Sequence, residues 1–384
     1  MENIQLIIEY DNAEDEEILA SIGTIKYRLP IIGACVLEIP PGTAESLAGL
    51  KCIKAVYETS NIIAQQKNSP QNLTGKGINI AILDTGLCPS ADFTKPENRL
   101  IAFKDFVNGR EDYYDDNGHG THVAGIACGN GYYSNGKYKG IAPQSGIVAL
   151  KILDEEGKGS SADVLAGLQW VVDNRDRYNI RLVNLSVGTP DINKFDPLLA
   201  AVEYMWDMGL VVTVAAGNNG PDNSSVTSPG SSKKVITIGA SDDDTVCTDA
   251  FGERIKDFSG RGPTKNCIIK PDILAPGAEI ISVRSKGMTV DAMEAFEGRF
   301  IDDNYLKMSG TSMATPRVCG AIALLLEKHP VLSPDDVKYA LKKTAEDISK
   351  DANEQGWGRL DIEKLISWEA ENVRKKYIRN RTEF

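Results

Sequence analysis

The chain has 384 residues, of which 42% are hydrophobic and 25% are charged, so it can bury the core of two or three globular domains. Its 42 basic and 54 acidic residues give a formal net charge of −12, which argues against nucleic acid or an anionic membrane surface as a partner. No apolar run approaches the roughly 20 residues that cross a bilayer, so no membrane-spanning segment is expected.

The cysteines indicate a reducing compartment. There are seven of them, scattered along the chain and without a CxxC spacing. In a chain of this size, that pattern is typical of reduced thiols in the cytosol rather than of a disulfide framework. The first residues also lack the basic region and apolar stretch of a secretory signal. We therefore expect a cytoplasmic protein.

The first 66 residues predict a small α+β domain of their own. The expected strands and helices are, in chain order, Ile4–Glu9, Glu14–Ser21, Tyr27–Ile39, Thr43–Leu50 and Ile53–Glu58. If Tyr27–Ile39 contains two strands, the order is β-α-β-β-α-β, which is that of a ferredoxin-like plait. A polar stretch at 65–72 follows and predicts an exposed linker, and we place the domain boundary between residues 66 and 67.

From Gly77 onward, apolar runs alternate with stretches of helical pattern. The apolar runs are Ile78–Leu83, Ile147–Leu153, Leu182–Ser186, Leu210–Ala216 and Val235–Ala240. The expected helices are Thr121–Cys128, Ala162–Asn174, Pro197–Met208, Thr315–Lys328, Pro334–Thr344 and Asp361–Lys375. Continuous apolar runs are typical of strands buried on both faces, and alternation with helices favours right-handed crossovers. We predict an α/β domain at 67–384, a three-layer sandwich with a mainly parallel central sheet.

Three short segments each place a chemically active residue beside glycine. They are Asp84-Thr85-Gly86, Gly118-His119-Gly120-Thr121-His122 and Gly310-Thr311-Ser312. A serine hydroxyl needs an imidazole to take its proton, and that imidazole needs a carboxylate to fix its tautomer. Asp84 directly follows a buried strand, where parallel sheets bind their ligands. An aspartic protease would need a second Asp-Thr-Gly, from this chain or from a second copy, and would leave the other two segments unexplained.

The candidate base is His119 or His122, because His329 lies at the end of a later helix. His119 begins a helix between two glycines, from where its ring can project. His122 lies one turn further in and is expected to pack or to donate a structural hydrogen bond. The alternative is a metal site built from both histidines with Asp115 or Asp116. Metalloprotease helices, however, place their histidines four residues apart around a glutamate.

Ser312 opens an apolar helix, whose unpaired N–H groups can stabilise a developing anion. Asn218 follows another apolar run, and its amide could donate to the same oxyanion. Helix capping by Ser312 and a turn at Asn218 are the structural alternatives. The occurrence of all these residues in one chain favours nucleophilic catalysis.

With these segments and those at 258–264 and 270–277, the stretch from about Thr74 to Gly358 resembles the subtilisin-like serine proteases, in particular their intracellular bacterial branch. The resemblance implies that Asp84 orients the base, His119 is the base and Ser312 is the nucleophile, with Asn218 as the oxyanion donor. The substrate-binding residues that it implies are Leu185, Ser186, Val187, Gly188, Ala215, Ala216 and Gly217, with Thr227 at the floor of the side-chain pocket. The chemistry needs no cofactor, and a structural calcium ion is expected at Asp92, which matches a calcium-ligand position of the family.

Residues 1–66 resemble the inhibitory prodomain of the same family. This implies an intramolecular inhibitor that assists folding and is removed by autoprocessing, which we expect after Gln66. Peptides or proteins would be the substrates. A regulatory binding protein with a permanently bound prodomain, or a peptide ligase that uses the same acyl-enzyme, are the alternative functions.

Residues 286–305 form an insertion just before the nucleophile, with an amphipathic stretch at Met293–Phe300. The insertion is expected to be either a lid or a long surface loop.

Overall fold

The computed structural model describes residues 4–10, 12–29, 34–40, 42–43, 47, 50, 52–58, 73–189, 196–248 and 254–369. The chain divides into two compact units, Met1–Ser69 and Pro70–Phe384. The predicted boundary between residues 66 and 67 lies outside the described residues and stays a prediction.

The N-terminal unit is built on a four-stranded antiparallel sheet. Its elements are β1 (Ile4–Tyr10), α1 (Ala13–Ile22), β2 (Thr24–Leu29), β3 (Ala34–Ile39) and β4 (Ile53–Glu58). The strand order is β2-β3-β1-β4, and α1 contributes Leu19 to a small core with Ile8 and Leu37. The second predicted helix, Thr43–Leu50, lies mostly outside the described residues, so the ferredoxin-like plait stays a prediction.

The C-terminal unit contains a seven-stranded parallel sheet, as predicted from the apolar runs. Its strands are β5 (Asn79–Asp84), β6 (Leu100–Asp105), β7 (Gly146–Lys151), β8 (Ile180–Leu185), β9 (Val211–Ala215), β10 (Ile236–Ala240) and β13 (Ile273–Ala275). Their order across the sheet is β13-β10-β9-β8-β5-β7-β6. The edge strands β6 and β13 were not predicted, because β6 is only partly buried and β13 has three residues.

Helices flank this sheet and form the outer layers of the α/β fold. The longer ones are α3 (His119–Cys128), α4 (Ser161–Asn174), α5 (Pro197–Asp207), α7 (Thr311–Lys328) and α8 (Pro334–Thr344). The short ones are α2 (Ala91–Thr94), α6 (Val290–Ala295), α9 (Ala352–Gln355) and α10 (Ile362–Ser367). Helix α3 packs against α7, and α4 packs against α5. No helix among the described residues is long and apolar enough to cross a membrane.

Two small antiparallel pairs complete the unit. Strands β11 (Cys247–Thr248) and β12 (Arg254–Ile255) form one pair. Strands β14 (Ile280–Val283) and β15 (Tyr305–Met308) form the other, and the insertion at 286–305 connects them. Because β14 packs against α3, this hairpin connects the insertion to the helix that begins at His119.

Candidate active site

The carboxyl ends of three neighbouring strands meet at one cleft. Asp84 is the last residue of β5, Ser186 directly follows β8, and Asn218 lies shortly after β9. The cleft has a volume of about 470 Å³ and is lined by His119, Ser312, Ser186 and Asn218, among others. The fold therefore brings together candidate residues that are far apart in the sequence.

Asp84 and His119 are joined by a buried hydrogen bond. Nδ1 of His119 lies 2.7 Å from Oδ1 of Asp84, which also accepts the N–H of Thr85 at 2.8 Å. Asp84 is fully buried, and His119 is only 8% exposed. Because an ionised carboxylate can only accept, we assign the Nδ1 proton to His119. This leaves Nε2, on the opposite side of the ring, as the proton acceptor.

The surroundings of His119 act on its pKa in opposite directions. Burial of the ring lowers the pKa, whereas the charge of Asp84, its hydrogen bond to the ring and the charge of Asp115 raise it. The net effect is a pKa above the usual histidine value. Since a stronger base takes a hydroxyl proton more readily, this shift suits the role of general base.

Ser312 lies in the first turn of α7. Gly310, which precedes this helix, has a φ of 145°, a conformation that favours glycine. The Ser312 hydroxyl donates to the carbonyl oxygen of Ser186 at 3.2 Å. Ser312 and His119 line the same cleft, but the hydroxyl proton of Ser312 points to the backbone carbonyl oxygen of Ser186. Hydrogen bonds of catalytic groups are often loose before substrate binds and tighten in its complex.

The side chain of Asn218 is fixed by the start of the same helix. Its Oδ1 accepts the N–H of Thr311 at 2.9 Å and the hydroxyl of Thr311 at 3.0 Å. These bonds set the orientation of the amide and place Nδ2 beside Gly310, 3.1 Å from where a Cβ on Gly310 would lie. The donor end of Asn218 therefore lies next to the segment that carries Ser312.

Comparison with known proteins identifies the family. Residues 75–358 match the model of the subtilase family, peptidase S8. The chain is a subtilase. It is 39% identical over 365 residues to serine protease AprX of Bacillus subtilis (strain 168), covering 89% of this chain and 81% of AprX.

More distant relatives agree with this assignment. The subtilase is 29% identical over 304 residues to subtilisin DY of Bacillus licheniformis, covering 79% of this chain and 95% of that protein. Its fold resembles the solved S41 psychrophilic protease with a TM-score of 0.59 and 31% identity, over 74% of this chain and 91% of that chain. The chain is thus a serine endopeptidase with the subtilisin-like α/β fold.

Most of the predicted substrate-binding residues border the cleft of this subtilase. Those that line it are Ser186, Val187, Gly188, Ala215, Gly217 and Thr227. Leu185 and Ala216 are instead fully buried. Leu185 belongs to the core, and both backbone groups of Ala216 pair within the protein, with Ile238 at 2.9 Å and Thr227 at 3.0 Å. Leu185 is the last residue of β8 and Ala216 directly follows β9, and their predicted contact with substrate stays a prediction.

Asp115 supports the site in a way that the sequence did not reveal. Its Oδ1 accepts the hydroxyl of Thr85 at 2.8 Å and the N–H of Gly118 at 2.8 Å. Its Oδ2 accepts the N–H and the hydroxyl of Thr121, at 2.8 and 2.6 Å. Asp115 therefore joins the residue after Asp84 to the start of the helix that carries His119. An aspartate before a helix is a recognisable capping signal, but its contact with Thr85 spans 30 residues.

A buried lysine connects the residue after Asp84 to the segment before His119. Lys151 is fully buried, and its Nζ donates to the carbonyl oxygens of Thr85 at 2.7 Å and Leu153 at 2.8 Å. It also pairs with Oδ1 of Asp116 at 2.7 Å. The carboxylates considered as metal ligands are thus both engaged, Asp115 by hydrogen-bond donors and Asp116 by Lys151. No group of three or more potential metal-ligating side chains occurs in the part of the chain that the structure describes.

His122 has the structural role that its place in the helix predicted. Its Nε2 donates to the carbonyl oxygens of Ile280 at 3.0 Å and Leu306 at 3.2 Å, which lie on β14 and β15. Burial, together with the charge of His119, lowers the pKa of His122 to about 3. A neutral His122 therefore anchors the β14–β15 hairpin to α3.

The surroundings of Asp92 do not fit a calcium ion. Its Oδ1 accepts the N–H of Tyr133 at 3.1 Å, and its Oδ2 accepts the hydroxyl of Tyr305 at 2.8 Å. The guanidinium of Arg99 donates to its carbonyl oxygen. These neighbours are hydrogen-bond donors and a cation, whereas calcium requires about six to eight oxygen ligands. The mechanism proposed below therefore includes no calcium ion.

The insertion at 286–305 packs against the loop before His119. Met288 is 8% exposed, and its Sδ lies 3.1 Å from where a Cβ on Gly118 would be. The N–H of Thr289 donates to the carbonyl oxygen of Asp116 at 2.8 Å. The insertion contains α6, which includes the first part of the amphipathic stretch, and Phe296, directly after this helix, is fully buried. The insertion thus supports the His119 loop through buried contacts.

Proposed function

We propose that this subtilase hydrolyses peptide bonds through an acyl-enzyme in which Ser312 is the nucleophile. The observation that carries the proposal is the 2.7 Å hydrogen bond between Asp84 and His119 in a cleft that Ser312 also lines. This pairing leaves Nε2 of His119 able to accept a proton inside the cleft.

In the first half-reaction, Ser312 Oγ attacks the carbonyl carbon of the scissile bond while His119 takes the hydroxyl proton. The resulting oxyanion accepts hydrogen bonds from Nδ2 of Asn218 and from the N–H of Ser312 at the start of α7. The C–N bond then breaks, and His119 returns the proton to the leaving amine. A water molecule, activated by His119, hydrolyses the ester by the same steps in reverse. Asp84 remains ionised and stabilises the imidazolium.

The substrate is an extended segment of peptide or protein that lies between the two edges of the cleft. Val187 and Gly188, shortly after β8, and Ala215 and Gly217, at and after the end of β9, line the cleft and would form these two edges. Backbone hydrogen bonds to these edges would bind the main chain as an added strand and leave side-chain selection to the pockets between them.

Residues 1–66 act as a prodomain that assists folding, inhibits the enzyme and is then removed by it. The proposal is supported by the separate compact unit and core that this part of the chain forms. Processing after Gln66 would fall at a position outside the described residues. We further propose a cytoplasmic location, for which the seven free thiols are the support.

The test compares the wild-type protein with Ser312→Ala by intact mass and by turnover of a mixed peptide library. We expect the wild type to lose its first sixty-odd residues and to cleave peptides, while the variant does neither. If both proteins stay full length and inert, the protease proposal fails and a binding protein with a permanently bound prodomain replaces it. If added amines capture the acyl group in preference to water, the activity is ligation.

A further inference from the structure

Strand β8 carries a polar side chain at a fully buried position. Asn184 has no exposed surface, and its neighbours Val183 and Leu185 are buried apolar residues. Its Nδ2 donates to Oγ of Ser186 at 3.0 Å, whereas its Oδ1 has no hydrogen-bond partner within the described ranges. A buried amide with an unpaired oxygen is costly, and an apolar side chain of similar size would avoid that cost. Such a side chain indicates a role other than packing.

Ser186 and Ser312 are joined by two hydrogen bonds in opposite directions. The hydroxyl of Ser312 donates to the carbonyl oxygen of Ser186 at 3.2 Å, and the hydroxyl of Ser186 donates to the carbonyl oxygen of Ser312 at 3.3 Å. A serine hydroxyl has one proton and two lone pairs. Because Asn184 donates to a lone pair of the Ser186 hydroxyl, the proton of that hydroxyl is directed to Ser312.

The carbonyl oxygen of Ser312 needs this donor because of a proline in the same helix. In a regular α-helix, a carbonyl oxygen accepts the N–H of the residue four positions later. For Ser312 that residue is Pro316, which lies inside α7 and has no N–H. A proline ring also crowds the carbonyl group four residues before it. The Ser186 hydroxyl therefore supplies a hydrogen bond that the helix cannot provide at Ser312.

We propose that Asn184 is a positioning residue that fixes Ser312 through the hydroxyl of Ser186. The inference rests on the function proposed above and adds to it a residue that does not touch the substrate. Asn184 is fully buried, whereas Ser186 and Ser312 line the cleft. Without the amide, the Ser186 hydroxyl can rotate away, and the first turn of α7 loses a contact that sets the position of the nucleophile. Small displacements of a reacting group lower the rate of the chemical step.

The experiment measures activity and stability separately in Asn184→Leu. Leucine has a similar size and removes both the donor and the unpaired oxygen. On a peptide amide substrate, kcat of the self-processed variant should fall by about tenfold, with KM within about twofold of the wild-type value. The free energy of unfolding, measured in urea in a Ser312→Ala background, should stay unchanged or rise. A side chain that serves only to stabilise the fold would not give this separation.

Thr213→Val is the matched control. Thr213 lies directly opposite Asn184 on β9, is also fully buried, and donates from its hydroxyl to the carbonyl oxygen of Val183 at 3.0 Å. Its removal leaves that carbonyl oxygen without this donor, so the free energy of unfolding should fall. Because Thr213 has no contact with the Ser186 hydroxyl among the hydrogen bonds of the described residues, kcat should stay at the wild-type value.

A double-mutant cycle tests whether Asn184 acts through Ser186. Ser186→Ala removes the hydroxyl and should lower kcat by about tenfold, as Asn184→Leu does. The two substitutions together should lower kcat no further than either one alone, since both break the same connection to Ser312.

The outcomes separate this inference from the proposed function. A wild-type kcat in Asn184→Leu, or equal losses of kcat in Asn184→Leu and Thr213→Val, would overturn the inference and leave the protease mechanism intact. Additive losses in the cycle would also overturn it. Failure of the wild type to cleave any peptide would overturn both proposals. If Asn184→Leu does not fold, Ser186→Ala decides, because a wild-type kcat in that variant contradicts the connection.

Discussion

The hydroxyl of Thr85 donates to Oδ1 of Asp115 at 2.8 Å and accepts the N–H of Gly120 at 2.9 Å. Thr85 follows Asp84, and Gly120 follows His119, so this hydroxyl connects the segments that hold the Asp84–His119 pair. Asp115 completes the connection and adds a buried negative charge that raises the pKa of His119. The geometry and the basicity of the imidazole therefore depend on a carboxylate that does not touch the ring.

Asp115→Asn should weaken both effects. The amide removes the negative charge, so the pKa of His119 falls and the acidic limb of the kcat/KM profile moves to lower pH. The NH2 group of the asparagine also replaces a carboxylate oxygen that accepts N–H groups, so two donors then face each other. We expect kcat to fall by about tenfold, which corresponds to about 1.4 kcal/mol. A pH–rate profile measures both changes. Asp112→Asn, at an exposed position in the same loop, is the control. A loss of kcat without movement of the acidic limb would contradict the electrostatic part.

Asn218→Ala should lower kcat by about 10²–10³-fold with little change in KM, because its amide acts on the oxyanion that forms only during reaction. That range includes the loss already known for the oxyanion donor of a subtilisin, so it is an expectation carried over from a relative. Steady-state kinetics on one peptide would measure it. Asn223→Ala, at an exposed position in the loop that follows, should behave as the wild type. A rise in KM at constant kcat would show that Asn218 binds the ground state instead.

His122 should make the protein less stable in acid. Its pKa is about 3 in the folded state, against 6.5 for the ordinary side chain. Below about pH 6.5 the unfolded chain therefore binds a proton that the folded chain refuses. The free energy of unfolding then falls by about 1.4 kcal/mol per pH unit until the pH approaches the folded pKa.

His122→Gln removes this titration and retains an N–H donor for the carbonyl oxygens of Ile280 and Leu306. Urea unfolding from pH 7 to 4.5, with both proteins in a Ser312→Ala background to prevent self-digestion, compares the slopes. As the pH is lowered, the free energy of unfolding should fall less steeply in the variant. Parallel declines in the two proteins would exclude His122 as the source.

Met288→Ala tests the contact between the insertion and the His119 loop. Removing a buried methionine side chain leaves a cavity, and we expect the free energy of unfolding to fall by about 2 kcal/mol. Loosening of Gly118 should lower kcat as well. Val290→Ala changes a side chain in the same insertion that is 64% exposed, and it should alter neither quantity measurably. If both variants retain wild-type stability, the insertion does not support the loop.

The parts of the fold that could be predicted are those in which one local pattern decides the structure. The strand expected at Ile78–Leu83 is observed at Asn79–Asp84, because burial on both faces requires a continuous apolar run. The strand at Leu100–Asp105 was missed, since an edge strand is partly exposed and its sequence lacks such a run. The short helix in the insertion, Val290–Ala295, was not predicted as a helix, because the sequence there indicated only an amphipathic stretch at Met293–Phe300.

The same distinction applies to the site. The sequence predicted where Asp84, His119 and Ser312 would lie because each has its own local motif. The contact of Thr227 with Gly188 and Gly217, and that of Asp115 with Thr85, join segments that are distant in the sequence. Nothing in the residues near Thr227 or Asp115 records these partners, and only the assembled sheet brings them together.

The position of the active site at the ends of β5, β8 and β9 also has a consequence for the rate of folding. Asp84 and Ser312 are separated by more than half the chain, and the parallel strands between them pair only through long crossovers. Native contacts between such distant segments are slow to form, because the loops must close before the contacts stabilise them. We therefore expect the newly synthesised chain to fold slowly, with the active site complete only after β5, β8 and β9 have paired.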